Sequence, residues 1–285
     1  EGKMKYDELK VIAKSMRKNI LTMIYKAKSG HPGGSLSAVE IMTYLYFKEM
    51  NIDSPTDESR DRFVLSKGHG APVLYAVLME KGFIKTELIP TLRQVGSKLQ
   101  GHPDMKKLPE SGVEASTGSL GQGLSIANGM ALAFKLDKKP NRVFALLGDG
   151  EINEGMIWEA AMLASHYKLD NLTAILDHNG LQIDGKNEDV MTIEPIDKKF
   201  EAFGWHVIKA EGNDFGSLEK AFKERKTVKG KPAIIIAETI KGKGCSFMEN
   251  EAGWHGKAPN DDEFCKAMEE IGDIGDKIKG GGLHG

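Results

Sequence analysis

Apolar residues return along the chain at two different periods, and the change between them divides the sequence. Over residues 6–27, Leu9, Ile12, Met16, Ile20 and Met23 recur at steps of three and four, which predicts an amphipathic helix. The run Ser29-Gly30-His31-Pro32-Gly33-Gly34 ends it, since Gly and Pro interrupt helical geometry. A second helix is expected over about 37–48, then a short strand over 62–65. The turn Ser66-Lys67-Gly68-His69-Gly70 leads into a helix reaching about residue 81. Residues 88–105 show no clear period. A Gly-rich turn at 116–123 precedes a long helix to about residue 136.

The second half alternates more regularly. The continuous apolar run Val143-Phe144-Ala145-Leu146-Leu147 suits a parallel strand covered on both faces. A helix over 155–167, a strand over 172–176, a short helix closing at 200–203, a strand over 205–208, a helix over 217–226 and a strand over 233–237 follow. Such alternation predicts an α/β fold, a doubly wound and mostly parallel sheet with helices on both faces and right-handed crossovers. The pattern divides into an N-terminal helical segment (1–30) packing on the main domain, the domain itself (31–260), and a C-terminal helix with a Gly-rich tail (261–285). Residues 279–285 read as a frayed tail or linker.

Composition narrows the function classes. Lys+Arg of 39 against Asp+Glu of 41 gives a net charge of −2, with no general attraction for nucleic acid or an anionic membrane. No apolar run is long enough to span a bilayer, and the charged start has no signal-peptide core. Cys245 and Cys265 form no CxxC and no disulfide framework, so the cytoplasm is the expected location. Glu1-Gly2-Lys3 before Met4 reads as a cloning remnant.

Open α/β sheets bind ligands beyond the carboxyl ends of their strands. Asp149 and Asn179 fall at two such ends, within the segment GDGEINEGMIWEAAMLASHYKLDNLTAILDHNGLQIDG that spans one βαβ unit. An Asp carboxylate, an Asn amide oxygen and a nearby main-chain carbonyl are hard oxygen donors. They suit Mg²⁺ or Ca²⁺, and Mg²⁺ usually completes its octahedron with ligand phosphates. Gly148 and Gly150 let the backbone approach a diphosphate, and the helix that follows offers free N–H groups.

GDG followed after about thirty residues by an Asn-containing turn resembles the thiamine-diphosphate motif. By that resemblance Asp149, Asn179 and the carbonyl of Leu181 hold Mg²⁺ (with Ca²⁺ or Mn²⁺ as substitutes) on the cofactor's diphosphate. KAKSGHPGG, DRFVLSKGHG, GHPD, VEASTGSLGQGL, TIKGKG and WHGKAP, in that order, are similar to the motifs of transketolase from about Asp7 to Pro259. The resemblance implies cofactor contacts from His69, Gly118, Ser119, Leu120, Gly148, Gly150 and His255. It implies that His31, His102 and His255 hydrogen-bond a bound sugar, with His31, His255 and Glu154 as the catalytic set. Glu154, five residues after Asp149, matches a buried carboxylate at the family's subunit interface. By position alone it is equally an N-terminal helix carboxylate that favours the helix dipole.

His166, His178, His206 and His284 carry no assigned role, although His178 stands where the family usually has Asp. Cys245 has no base beside it in sequence. The family also needs a pyrimidine-binding domain, which supplies the glutamate for the aminopyrimidine ring and arginines for the sugar phosphate. No second α/β domain is legible here. The resemblance therefore implies the N-terminal subunit of a split transketolase, a heterotetramer with two copies of each chain, or alternatively one domain of a longer chain whose remainder has been cut away. Its expected activity is transfer of a two-carbon ketol unit from a ketose phosphate to an aldose phosphate, within the pentose phosphate pathway. Another thiamine-diphosphate enzyme, of the deoxyxylulose-phosphate synthase or 2-oxo-acid dehydrogenase type, and a non-catalytic cofactor-binding domain stay open as alternatives.

Overall fold

Among the described residues five strands form one sheet: β1 (Arg62–Leu65), β2 (Val143–Gly148), β3 (Leu172–His178), β4 (His206–Glu211) and β5 (Ala233–Glu238). Their order is β1-β2-β3-β5-β4, and every pairing is parallel. The computed structural model describes the backbone of residues 4–280 and side chains through residue 272. All five expected strands are present, with ends moved by no more than a few residues.

Among the described residues ten α-helices surround the sheet: α1 (Tyr6–Ala27), α2 (Pro32–Leu36), α3 (Val39–Tyr44), α4 (Ala71–Glu80), α5 (Gln122–Leu136), α6 (Gly155–His166), α7 (Asn187–Val190), α8 (Ile196–Ala202), α9 (Phe215–Thr227) and α10 (Asp261–Gly280). The expected helix over 37–48 is instead α3 followed by a π-helical turn, Leu45–Glu49, with α2 set before it by Pro32 at its first position. Residues 88–105 hold one short 3₁₀ segment, Thr86–Thr91, that reaches into their start, and are otherwise irregular. Lys279 and Gly280, expected in the tail, close α10, and 281–285 lie outside the described residues.

The period of two along each strand sorts side chains into two cores. Phe63, Leu65, Phe144, Leu146, Ile175, Ile208 and Ile235 join α1, α3, α4 and α9 on one face. Val64, Val143, Ala145, Leu147, Leu172, Ala174 and Ile234 join α5, α6 and α8 on the other. Handedness explains the assignment. The connections β2–β3 and β3–β4 advance across the sheet, whereas β4–β5 returns, because β5 inserts between β3 and β4. Keeping every crossover right-handed places α6 and α8 on one face and α9 on the opposite one. All carboxyl ends therefore open on a single edge.

Candidate active site

Beyond that edge, four loops interlock around a buried ion pair. Lys67, just after β1, and Asp177, near the end of β3, are 1% and 0% exposed at the side chain. Removing two charges from water is costly unless each is fully paired. Here Lys67 Nζ donates to Asp177 Oδ2 and, at 2.7 Å, to the Gly34 carbonyl of the first histidine loop. Ser37 Oγ donates to the same carboxylate at 2.6 Å, and Thr239, just after β5, donates to its other oxygen. Burial pushes the Asp177 carboxyl up, but the Lys67 ammonium and the three hydrogen bonds outweigh it and hold it low. One carboxylate thus ties together the loops that carry His31, His69, Asn179 and Lys241.

The loops close tightly because glycine backbones meet. Gly118 has φ of +143°, and a side chain there would meet the His102 ring at 2.9 Å. A side chain at Gly68 would collide with the backbone of Gly118 at 2.6 Å. Through this packing the four loop histidines converge. The His31 ring lies 5.5 Å from His69, 6.4 Å from His102 and 5.3 Å from His255, and His69 lies 5.1 Å from His255. Lys241 Nζ approaches His255 Nδ1 at 3.3 Å. Burial, then the Lys241 ammonium, lowers His255 to about 3. Burial, then the Arg93 guanidinium, lowers His31 to about 4. His69 and His102 are lowered as well, first by burial. At neutral pH all four are uncharged imidazoles, each offering one donor and one acceptor. Burial and the neighbouring Lys67 bring Lys241 down to about 8.

Next to the histidines is a cleft of ≈ 230 Å³, lined by Asp149, Asn179, Leu181, Leu120, His69 and His255 among others. Gly148 and Gly150 line it too. Asp149 Oδ2 accepts from the Gly180 amide at 2.7 Å and from Asn187 at 3.0 Å. Its Oδ1 pairs with His178 Nδ1 at 2.7 Å. Asn179 Oδ1 accepts from the Leu181 amide at 3.2 Å. Among the described residues no group of three or more His, Cys, Asp or Glu could hold a metal. The donors here are instead oxygens with one negative charge, a set that fits a hard cation only when a polyphosphate supplies further oxygens.

The residues quoted from the sequence occupy this one region, although His31, His102, Gly118 and Ser119 do not line the cleft itself. Ser119 is exposed and hydrogen-bonds Gln122 at 3.0 Å, away from the cleft lining. The carboxylate of the GDGEINE segment that is buried within this chain is Glu151. Glu151 accepts from Ser66 and from the Gly121 and Gly148 amides, tying β1, β2 and the 116–121 turn together. Glu154 is the N-cap of α6, exposed on the cleft rim, and its side chain makes no cap hydrogen bond.

The family described as "Transketolase, thiamine diphosphate binding domain" matches residues 9–275. This chain belongs to the transketolase family. It is 42% identical over 278 residues to one subunit of the apulose-4-phosphate transketolase of Phocaeicola vulgatus, covering 97% of this chain and 98% of that one. It is 44% identical over 261 residues to the 6-deoxy-6-sulfo-D-fructose transketolase subunit SqwG of a Clostridium species, covering 91% and 94%. Among solved structures, transketolase from Campylobacter jejuni superposes with a TM-score of 0.87 at 33% identity, over 94% of this chain and 43% of that one. The chain therefore matches relatives named as single subunits over nearly their whole length and spans less than half of the single-chain transketolase.

Several residues of this transketolase site were not singled out by sequence reading. Lys67 and Lys241 lie inside the quoted SKGHG and TIKGKG motifs, where histidine and glycine carry the recognisable pattern. Asp177 and His178 immediately precede Asn179, and Arg93 comes from the irregular 88–105 stretch. Arg93 reaches Ser29 at 3.1 Å and His31 at 3.4 Å. His206 pairs with Glu224 at the opposite end of β4, and His166 packs on Tyr167 at the end of α6, both apart from the site. His284 lies outside the described residues.

Proposed function

We propose that this chain, joined to a C-terminal transketolase subunit with the pyrimidine-binding domain, transfers a two-carbon ketol unit from a ketose phosphate to an aldose phosphate. The assembly would contain two copies of each chain and work in the cytoplasm. The observation that carries this reading is the cluster of four uncharged histidines beside the cleft that holds Asp149 and Asn179, with His69 and His255 in its lining. The names of the two subunit relatives, and their near-complete coverage, support the two-chain form. No helix among the described residues is long and apolar enough to cross a membrane.

Thiamine diphosphate would lie with its diphosphate along Gly148, Gly150 and His69, and with Leu120 against the ring. Mg²⁺ would be held by Asp149, Asn179 and the Leu181 carbonyl. When bound, the cofactor supplies the nucleophilic ring carbon and the electron sink for carbon–carbon cleavage. The protein's part is binding, orientation and proton handling. Lys67 and Lys241 set positive charge beside the diphosphate. His31, His102 and His255, uncharged near pH 7, can accept a proton from a sugar hydroxyl or donate to a carbonyl oxygen, which is the condition for general acid–base work. Glu154, exposed on the rim, is placed to meet a partner chain.

The test is a ketol-transfer assay with thiamine diphosphate, Mg²⁺, a ketose phosphate and an aldose phosphate. Turnover is expected only when this chain is mixed with its C-terminal partner. Clear turnover by this chain alone, with mass spectrometry excluding a co-purified partner, would overturn the two-chain reading.

A further inference from the structure

The amino-terminal edge of the sheet, opposite the active site, carries a different arrangement. The turns that feed β2 and β5 are basic, with Lys138, Lys139 and Arg142 in the first and Lys229 and Lys231 in the second, while the turn that feeds β3 carries both Lys168 and Asp170. The chain as a whole has a net charge of −2, so positive charge is segregated here. Between these turns lies a pocket of ≈ 290 Å³ whose lining includes Lys139, Arg142, Thr173, Arg225, Lys226 and Lys229.

Its cations are not all neutralised. Arg142 pairs with Glu49 and Asp61, and Lys226 with Glu49. Lys139 and Lys229 have no ion-pair partner among the described residues. Arg225 is 6% exposed, yet its guanidinium meets only neutral oxygens. Nε donates to Thr173 Oγ1 at 2.6 Å, and Nη2 donates to the Asp170 carbonyl at 2.6 Å and the Leu172 carbonyl at 3.3 Å. Nη1 has no partner among the described residues. Asp170, the carboxylate of the lining, is already engaged by the Gly230 amide at 2.9 Å and by Lys135 at 3.7 Å. Asp170 and Glu49 act on the guanidinium only through space, its Nη1 is left for a ligand, and a planar guanidinium matches phosphate geometry.

We propose that this pocket binds a small phosphate-bearing anion, with Arg225 as its floor and Lys139 and Lys229 as its rim. The site is separate from the catalytic cleft and does not depend on the reaction assigned above. Its anion would be held by charge-assisted hydrogen bonds from Arg225 Nη1 and the two lysines.

The test uses the full chain labelled for amide NMR and titrated with pyrophosphate at physiological ionic strength, where free charges are screened beyond about 8 Å. The Thr173 and Gly230 amides should shift and saturate. Joint Lys139→Glu and Lys229→Glu substitution, at exposed positions where folding should be unaffected, should weaken that response by at least about tenfold, equivalent to roughly 1.4 kcal/mol. The response of the Gly148 and Gly180 amides, in the catalytic cleft, should stay unchanged. If pyrophosphate shifts only those cleft amides, the proposal fails. It fails equally if chloride at matched ionic strength reproduces the Thr173 and Gly230 shifts, or if charge reversal leaves them intact.

Discussion

The two edges of the same sheet handle positive charge in opposite ways. At the carboxyl edge, Lys67 and Lys241 are buried among glycine-rich loops, and Lys67 is matched to an equally buried carboxylate. At the amino edge, lysines project from short turns around Arg225, a buried guanidinium that finds no carboxylate. The difference follows from the loops. Glycine allows backbones to approach closely enough to bury an ammonium and supply it with carbonyl and carboxylate partners. The basic turns of the amino edge leave their charges in water. A fixed, dehydrated charge can orient a ligand and perturb its neighbours, whereas an exposed one is screened and mostly steers. Substitutions at the carboxyl edge should therefore reach much further than those at the amino edge.

The largest effect is expected at Asp149. Asp149→Ala removes the one carboxylate of the proposed metal set and also frees the Gly180 amide and Asn187. Mg²⁺-dependent affinity for thiamine diphosphate should fall by at least about a hundredfold, or roughly 2.7 kcal/mol. Calorimetry that finds unchanged affinity in this variant would remove the metal assignment. Lys139→Glu, at the other edge, should leave the same titration unaltered.

Lys67→Met comes next. Breaking a buried ion pair from one side leaves the other charge stranded and costs about 3–5 kcal/mol. Chemical denaturation should show a loss of that size. Adding Asp177→Leu removes the stranded carboxylate and should recover much of the stability. Cofactor affinity should not recover with it, because the links to Gly34, Ser37 and Thr239 are gone. A double variant that is stable and binds cofactor normally would mean that the pair only fills space.

How far this was legible from the chain alone depended on sequence distance. Strands β2, β3 and β5 are nearly continuous apolar runs and could be read locally, as could α1 with its regular stripe. The Asp149–Asn179 pair was legible because one βαβ unit fixes where both ends emerge. The buried pair was not, since Lys67 and Asp177 are 110 positions apart and nothing local marks a lysine for burial. Glu154 was legible through its match to a carboxylate at the family's subunit interface. Glu151, the carboxylate enclosed within this chain, was not, because its partners Ser66 and Gly121 come from other loops. The π-helical turn after α3 also escaped, because its apolar residues fit a regular helix equally well.

A smaller effect is expected at two of the histidines. His31→Ala and His102→Ala should lower kcat by about a hundredfold or more, the usual worth of a positioned proton donor or acceptor. Cofactor affinity should change little, since neither side chain lines the Asp149 cleft. Steady-state kinetics in the presence of the C-terminal partner, set beside calorimetry of the same variants, separates the two. Loss of cofactor binding as severe as in Asp149→Ala would show that these rings belong to the diphosphate site instead.

The gentlest probe is pH, because it perturbs the histidines without removing an atom. Burial is the largest cause that lowers His31 to about 4 and His255 to about 3, and neighbouring cations add to it. An unfolded chain returns both rings to about 6.5. Below that value the unfolded state takes up protons that the folded state refuses, so acid favours unfolding. Stability should be independent of these two groups above about pH 6.5 and should fall steadily from there toward pH 4. Carboxylates such as Asp177, held low in the fold, add their own loss only when pH drops further, into the range of unfolded carboxyls near 4. Over the interval between about 6.5 and 4 the histidine cluster lowers stability as pH falls, against the opposite trend of His178, raised by Asp149, and of Glu114 and Glu151, raised by burial. Denaturant titrations across that interval should show a shallower slope in a His31→Asn, His255→Asn double variant. Charge reversal at Lys139 and Lys229 should leave the slope as it was. An unchanged slope in the histidine double variant would mean that the two rings gain protons in the folded state as readily as in water, and that the carboxyl edge is wetter than its packing implies.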